Sequence, residues 1–320
     1  MFTIEESAKW LIERDNFLIL THRSPDGDTI GCGAGLCLAL REQGKTAYLL
    51  ENEDITPSLQ PYVEGLTSTD FEGDYIVSVD IATEDLFPNS AKKYCGKVDL
   101  AIDHHPMRDD FGKENCVYSD SASAGEIIYR IVSLWGEVSA AVALPLYVAV
   151  STDTGCFVFG NTTPESHYVA GKLIEKGLDV RAVNKVHFQT VTICRLRLES
   201  RLLGDMKLFD GGKIAIVCVT LAMLKELGAT EDDTENLSAF VSKIQGVNTG
   251  ITIREKEDGI CRISMRTIPT ELKANEVCAR LGGGGHAAAS GAAFHGSVQG
   301  AVNAMVEAIE AVSGNKLTPS

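Results

Sequence analysis

Short apolar runs recur through the first half of the chain, each closed by polar residues: Phe17 to Leu20, Ala47 to Leu50, Tyr75 to Val79 and Val98 to Ile102. Runs of this length between turn signals suit parallel strands buried on both faces. After the first of them, Thr29 to Gln43 predicts a helix that Gly44 stops. Together they predict an α/β domain built on a parallel sheet. Beyond Ser123 the spacing is largely helical as far as about Leu208. A second unit opens at the turn signal Asp210-Gly211-Gly212, ahead of the strand-like Lys213 to Val219. Within it, Gly250 to Lys256 and Ile260 to Thr267 flank Glu257-Asp258-Gly259 and predict a hairpin. The expected organisation is an N-terminal domain over 1–190, a helical connector rich in Arg and Leu over 191–209, and a smaller α/β domain over 210–320.

Length agrees with two cores, since 320 residues exceed what one usually fills. No apolar run reaches the ~18 residues of a membrane-spanning helix. The opening MFTIEESAKWLIERDN mixes charges with apolar residues and lacks the basic start of a signal peptide, so a cytoplasmic location is expected. Nine cysteines without a CxxC pair suit reduced thiols and not a zinc or disulfide scaffold. A net charge of −15 argues against long contact with a polyanionic backbone, so any nucleotide substrate is expected to be short. Carboxylates that hold divalent cations would account for part of that charge.

The candidate chemistry stands where the apolar runs end. Directly after the first run comes Thr21-His22-Arg23-Ser24-Pro25-Asp26-Gly27-Asp28. Pro25 and Gly27 tighten that loop, which allows both carboxylates to aim at one point. Alone, the segment could be a solvated turn with Asp28 capping the next helix. The third run ends in Asp80, the fourth in Asp103-His104-His105, and the apolar stretch Ala141 to Val150 leads to Asp153. In open α/β sheets ligands bind beyond the carboxyl ends of the strands. Carboxylates and imidazoles gathered there repel or desolvate one another unless cations sit among them. Such mixed oxygen and nitrogen donors suit Mn²⁺ or a similar ion, and two ions ~3.5–4 Å apart can activate water against a phosphoryl group. In the second unit, Gly282-Gly283-Gly284-Gly285-His286 either ends a helix over Lys273 to Leu281 or exposes N–H groups to a phosphate. Arg266 is either a bidentate phosphate contact or a surface arginine.

These motifs, in this order, resemble the DHH phosphoesterase family in its subgroup with a DHH-associated C-terminal domain. The two-domain length is most similar to the oligoribonucleases that also dephosphorylate 3′-phosphoadenosine 5′-phosphate. The resemblance implies two Mn²⁺ ions, with Mg²⁺ or Co²⁺ as alternatives. It implies His22, Asp26, Asp80 and Asp153 as ligands of one, Asp28, Asp80 and His104 as ligands of the other with Asp153 as a further candidate there, and Asp80 as the bridge. His105 would face the substrate phosphate and Asp103 would orient the histidines. Arg266, Gly283, Gly284, Gly285 and His286 would grip the far phosphate or sugar of a short oligonucleotide or nucleotide, and a homodimer is also implied. Two departures concern substrate preference: Gly31-Cys32 stands where many members have Gly-Ser, and Val158 at a position often basic. The alternatives are a phosphodiesterase for cyclic or linear dinucleotides and a RecJ-like single-strand exonuclease. A family II pyrophosphatase would lack the glycine–histidine loop, and a catalytically silent nucleotide sensor would have lost ligands that are all present.

Overall fold

The computed structural model describes residues 1–234 and 237–320. The chain forms two units, Met1–Thr190 and Val191–Ser320. Among the described residues no helix is long and apolar enough to cross a membrane.

In the first unit, helix α1 (Ile4–Ile12) precedes strand β1 (Phe17–Leu20), helix α2 (Gly27–Glu42) and strand β2 (Ala47–Leu50). A single helical turn α3 (Gln60–Val63) and the short β3 (Thr67–Ser68) lead to β4 (Tyr75–Val79), β5 (Leu100–Asp103) and β6 (Glu114–Val117). Helices α4 (Ala124–Ser133), α5 (Ala140–Asp153), α6 (Pro164–Ile174) and α7 (Val180–Phe188) complete the unit. All strands run parallel in the order β3-β2-β1-β4-β5-β6. The order reverses between β1 and β4, the switch point at which such sheets bind ligands.

Alternate residues of β1 divide between two cores, as period-two geometry requires. Phe17 and Ile19 pack with α2, α4 and α5 residues, while Leu18 and Leu20 join Ile81, Phe87 and Ala91 on the other face. That second face is covered by the turns around Glu84–Leu86 and Asn89–Tyr94, not by long helices. Helix α2 is buried along almost its whole length against α5, because Gly27, Gly31 and Gly35 form a stripe without side chains. A Cβ on Gly31 would lie 2.3 Å from the Pro145 carbonyl oxygen, and one on Gly35 would lie 2.6 Å from Leu146 Cδ2. The stripe lets the two helix backbones approach at van der Waals distance.

The second unit begins earlier than the expected connector allowed. Helix α8 (Ile193–Gly204) buries Leu198 and Leu202 against a sheet whose edge strand β7 (Lys207–Phe209) was counted as linker. Arg197 and Arg201 are exposed on the same helix, which is therefore amphipathic. Strand β8 (Ile214–Val219), helices α9 (Leu221–Leu227) and α10 (Leu237–Ser242), and the hairpin β9 (Thr249–Glu255) with β10 (Ile260–Thr267) follow. Helix α11 (Ala274–Ala279), strands β11 (Gly284–Gly285) and β12 (Ala289–His295) and helix α12 (Val298–Ser313) end the unit. The sheet order is β11-β12-β10-β9-β8-β7, with only β8 and β9 paired in parallel.

Candidate metal centre

Three strand ends and one helix end carry the polar side chains. After β1, the Asp26 side chain accepts from the N–H groups of Asp28 and Thr29 at 3.0 and 3.2 Å, so Asp26, and not Asp28, caps α2. This frees Asp28 to point inward, where it is 1% exposed. Thr29 Oγ1 donates to the Val79 carbonyl at 3.0 Å and accepts from His22 N–H at 3.4 Å, tying the ends of β1 and β4 together. Asp80, 3% exposed, follows β4 with φ 57°, a left-handed conformation that Asp adopts more readily than most residues. Asp103 ends β5, and Asp153 is the last residue of α5.

The imidazoles are held in defined tautomers. His22 Nδ1 lies 2.8 Å from the Arg23 carbonyl and His104 Nδ1 3.1 Å from the Ser121 carbonyl. A carbonyl only accepts, so both Nδ1 atoms carry hydrogen and both Nε2 atoms are directed at carboxylates. His22 Nε2 is 3.7 Å from Asp26 Oδ1 and 3.7 Å from Asp80 Oδ2. His104 Nε2 is 3.5 Å from Asp80 Oδ1, 3.7 Å from Asp28 Oδ2 and 3.8 Å from Asp153 Oδ2. These separations exceed a normal N–H···O hydrogen bond. His105 differs, since its Nδ1 lies 2.8 Å from Asp103 Oδ1, leaving Nε2 free on a side chain 41% exposed.

Two ligand groups result, His22–Asp26–Asp80 and Asp28–His104–Asp153, and the atoms of Asp80, His104 and His105 also cluster. Asp153 joins the second group, not the first. Asp28 is further bound by Ala124 N–H and Gly125 N–H at 2.7 and 3.0 Å and by Cys32 Sγ at 3.2 Å, so Cys32 supplies a donor one helical turn along α2.

The electrostatics fit cations. Burial, reinforced by the charges of Asp80 and Asp153, drives the Asp28 carboxyl well above its ordinary range. Asp153 is pushed up to about 6, again first by burial, with Asp80 and Asp26 adding repulsion. Burial works against charge on His22 and His104, yet the facing carboxylates override it and raise both to about 10. Asp80 Oδ1 is buried without a hydrogen-bond partner. A buried oxygen of this kind, ringed by imidazole nitrogens and further carboxylates, is the donor set a divalent ion satisfies.

In the second unit Arg266 is exposed on β10, paired in register with Ala289 of β12. Ala289 exchanges hydrogen bonds with His286 at 2.8 and 3.2 Å, so Arg266 and the exposed His286 stand at one end of this sheet. The glycine run is not an open loop: Gly284 and Gly285 pair with Gly291 and Ser290. Gly283 packs against that strand, where a Cβ would lie 2.1 Å from the Gly291 carbonyl oxygen.

Two positions escaped the reading of the sequence. Asn161 Nδ2 donates to the Asp153 carbonyl at 3.1 Å, and Glu126 accepts from Ala122 N–H at 3.1 Å. The Ser123-x-x-Glu126 spacing is a capping-box signature and was the signal available for the second.

Residues 16–150 match the DHH family, N-terminal domain, and residues 211–315 match the DHHA1 domain. The chain is a DHH and DHHA1 domain protein. This DHH–DHHA1 chain is 29% identical over 284 residues to the bifunctional oligoribonuclease and PAP phosphatase NrnA of Thermus thermophilus, covering 87% of this chain and 84% of that protein. Its fold is similar to that of an exopolyphosphatase-related protein from Bacteroides fragilis, with a TM-score of 0.87 and 25% identity over 97% and 96% of the two chains. RecJ of Thermus thermophilus, solved in complex with Mn²⁺, shares the fold with a TM-score of 0.52 and 12% identity over 97% of this chain and 54% of RecJ.

Proposed function

We propose that this chain is a two-metal phosphoesterase that hydrolyses short oligonucleotides and 3′-phosphoadenosine 5′-phosphate. The observation that carries the reading is the position of Asp80. Its Oδ2 faces His22 of one ligand group and its Oδ1 faces His104 of the other. A carboxylate can serve two ions at once in this way, whereas an imidazole offers one nitrogen. His22, Asp26 and Asp80 would hold one ion, and Asp28, Asp80, His104 and Asp153 the other. Mn²⁺ suits the oxygen and nitrogen donors. When bound, such a pair lowers the pKa of water and neutralises charge on a phosphoryl group.

The protein groups divide the remaining tasks. His105, raised in pKa chiefly by its hydrogen bond to Asp103, would turn its Nε2 toward a phosphoryl oxygen and donate to it when the ring is protonated. Asp103, kept ionised by His105 against the effect of burial, holds that ring in place. In the second unit Arg266, the Gly283 to Gly285 segment and His286 would bind the substrate's distal phosphate or sugar. The curated relative's two named activities supply the substrate classes.

A substrate panel with added Mn²⁺ tests the reading: RNAs of two to five nucleotides, 3′-phosphoadenosine 5′-phosphate, cyclic dinucleotides and pyrophosphate. Turnover of the short RNAs and of the nucleotide is expected. The absence of turnover of any short nucleotide would overturn the assignment.

A further inference from the structure

The stretch Ser121 to Glu126 reaches every residue of the Asp28–His104–Asp153 group. The Ser121 carbonyl accepts from His104 Nδ1 at 3.1 Å. The Ala122 carbonyl accepts from Asn161 Nδ2 at 3.1 Å, and the same nitrogen donates to the Asp153 carbonyl. Ala124 and Gly125 begin α4 and give their N–H groups to Asp28. Asp28 therefore does for α4 what a capping side chain does, at the positive end of the helix dipole. Ser123, the N-cap by position, makes no capping bond, and its Oγ is buried without a partner.

Glu126 fixes this stretch from below and is itself 1% exposed. Its Oε2 accepts from Ala122 N–H at 3.1 Å and its Oε1 from Ser166 Oγ at 2.7 Å. Ser166, fully buried at the start of α6, already accepts from Thr163 N–H at 3.0 Å, so its own proton is directed to Glu126. An ordinary capping box would return the glutamate to the N–H of Ser123, whereas Glu126 reaches one residue further. A carboxylate this buried is tolerated only with its oxygens satisfied, and both are. Its two bonds tie Ala122, whose own carbonyl serves Asn161 and whose N–H belongs to the peptide group serving His104, to Ser166 of α6.

We propose that Glu126 is a positioning residue for the Asp28–His104–Asp153 metal group, acting through the Ser121–Ala122 peptide. The inference rests on the two-metal reading above. It separates reach from charge: Glu126→Gln keeps the reach and removes the charge, while Glu126→Asp keeps the charge and shortens the reach. Asn161→Ala, at an exposed position, cuts the link from the Ala122 carbonyl to Asp153, together with the longer contact of 3.5 Å to Asp153 Oδ2, and serves if the aspartate variant fails to fold.

Mn²⁺ binding to chelator-stripped protein is read by calorimetry and electron paramagnetic resonance without substrate. Glu126→Asp and Asn161→Ala are expected to weaken one of the two ions by about 10- to 100-fold and leave the other within about twofold, with Glu126→Gln within about threefold of wild type at both. Wild-type affinity in Glu126→Asp, or an equal loss in Glu126→Gln, would overturn the proposal. So would parallel weakening of both ions with a lowered melting temperature, the mark of general loosening. A wild-type protein that binds no Mn²⁺ would instead remove the metal reading itself.

Discussion

His105 Nδ1 lies 2.8 Å from Asp103 Oδ1, and the second oxygen of Asp103 is buried without a hydrogen-bond partner. The pair is one-sided: the carboxylate has a single ring to orient and charge. Asp103→Asn removes the negative charge that raises His105, so that ring loses its proton at lower pH. A fall in kcat of about 10- to 100-fold is expected. The alkaline limb of the rate profile should move to lower pH while Mn²⁺ binding persists. An unchanged pH profile would count against the role given to His105.

Asp80→Asn tests the shared ligand without disturbing the backbone, because Asn accepts the left-handed conformation that Asp80 adopts at φ 57°. The amide offers one neutral oxygen in place of two charged ones. Activity should drop by roughly 1000-fold or more, the several kcal/mol that such sites supply. The far-ultraviolet circular dichroism spectrum should not change. Retention of more than a tenth of wild-type activity would refute a bridging carboxylate.

Chelated protein should lose stability as pH rises. His22 and His104 have folded pKa values of about 10 against an ordinary 6.5. The protons they retain therefore stabilise the fold fully below pH 6.5, and that contribution disappears as pH approaches about 10. Asp153, raised to about 6 from 3.8, adds a penalty of the same sign once it ionises. Melting temperature in chelator should fall between pH 6 and 9, and saturating Mn²⁺ should flatten that slope. Since bound ions need deprotonated imidazoles, their binding should also release protons at pH 7, measurable by calorimetry in buffers of different ionisation enthalpy. A chelated protein that grows more stable over this range would contradict the site's electrostatics.

Gly31→Ala sets a methyl group 2.3 Å from the Pro145 carbonyl oxygen and 2.8 Å from Ala149 N. Both are backbone atoms, so α2 and α5 must separate. Overpacking of this kind costs about 1–3 kcal/mol, read in urea denaturation. Mn²⁺ affinity should fall too, because Asp28 begins one helix and Asp153 ends the other. Loss of stability with unaltered metal binding would uncouple packing from the site.

Much of the centre was legible because a parallel strand buried on both faces must be apolar to its end, so a polar residue such as Asp80 marks where the sheet stops. The three strand ends at His22, Asp80 and Asp103 could be found that way. Asp153 could not be placed by the same rule, since it ends a helix, and its neighbourhood follows from the glycine stripe that docks α5 on α2. Helix α8 lies in the span expected as a helical connector, and its arginines mask the two leucines that it buries. The glycine run reads as either a helix-ending turn or N–H groups for a phosphate, and the pairing of Gly284 with Gly291 stays hidden because a strand of two residues is too short to carry a pattern. Glu126 is marked in the sequence only by its capping-box spacing from Ser123, which does not show its partners, the Ala122 N–H and Ser166, forty positions away.

The glycine stripe of α2 has a meaning beyond close packing. With Asp28 on one helix and Asp153 at the tip of the other, the thickness of a hydrophobic contact sets the gauge of an ionic site. Leu146, which fills the space over Gly35 two helical turns from Asp28, lies within that gauge. Variation in this fully buried apolar residue would then retune which divalent ion the centre prefers.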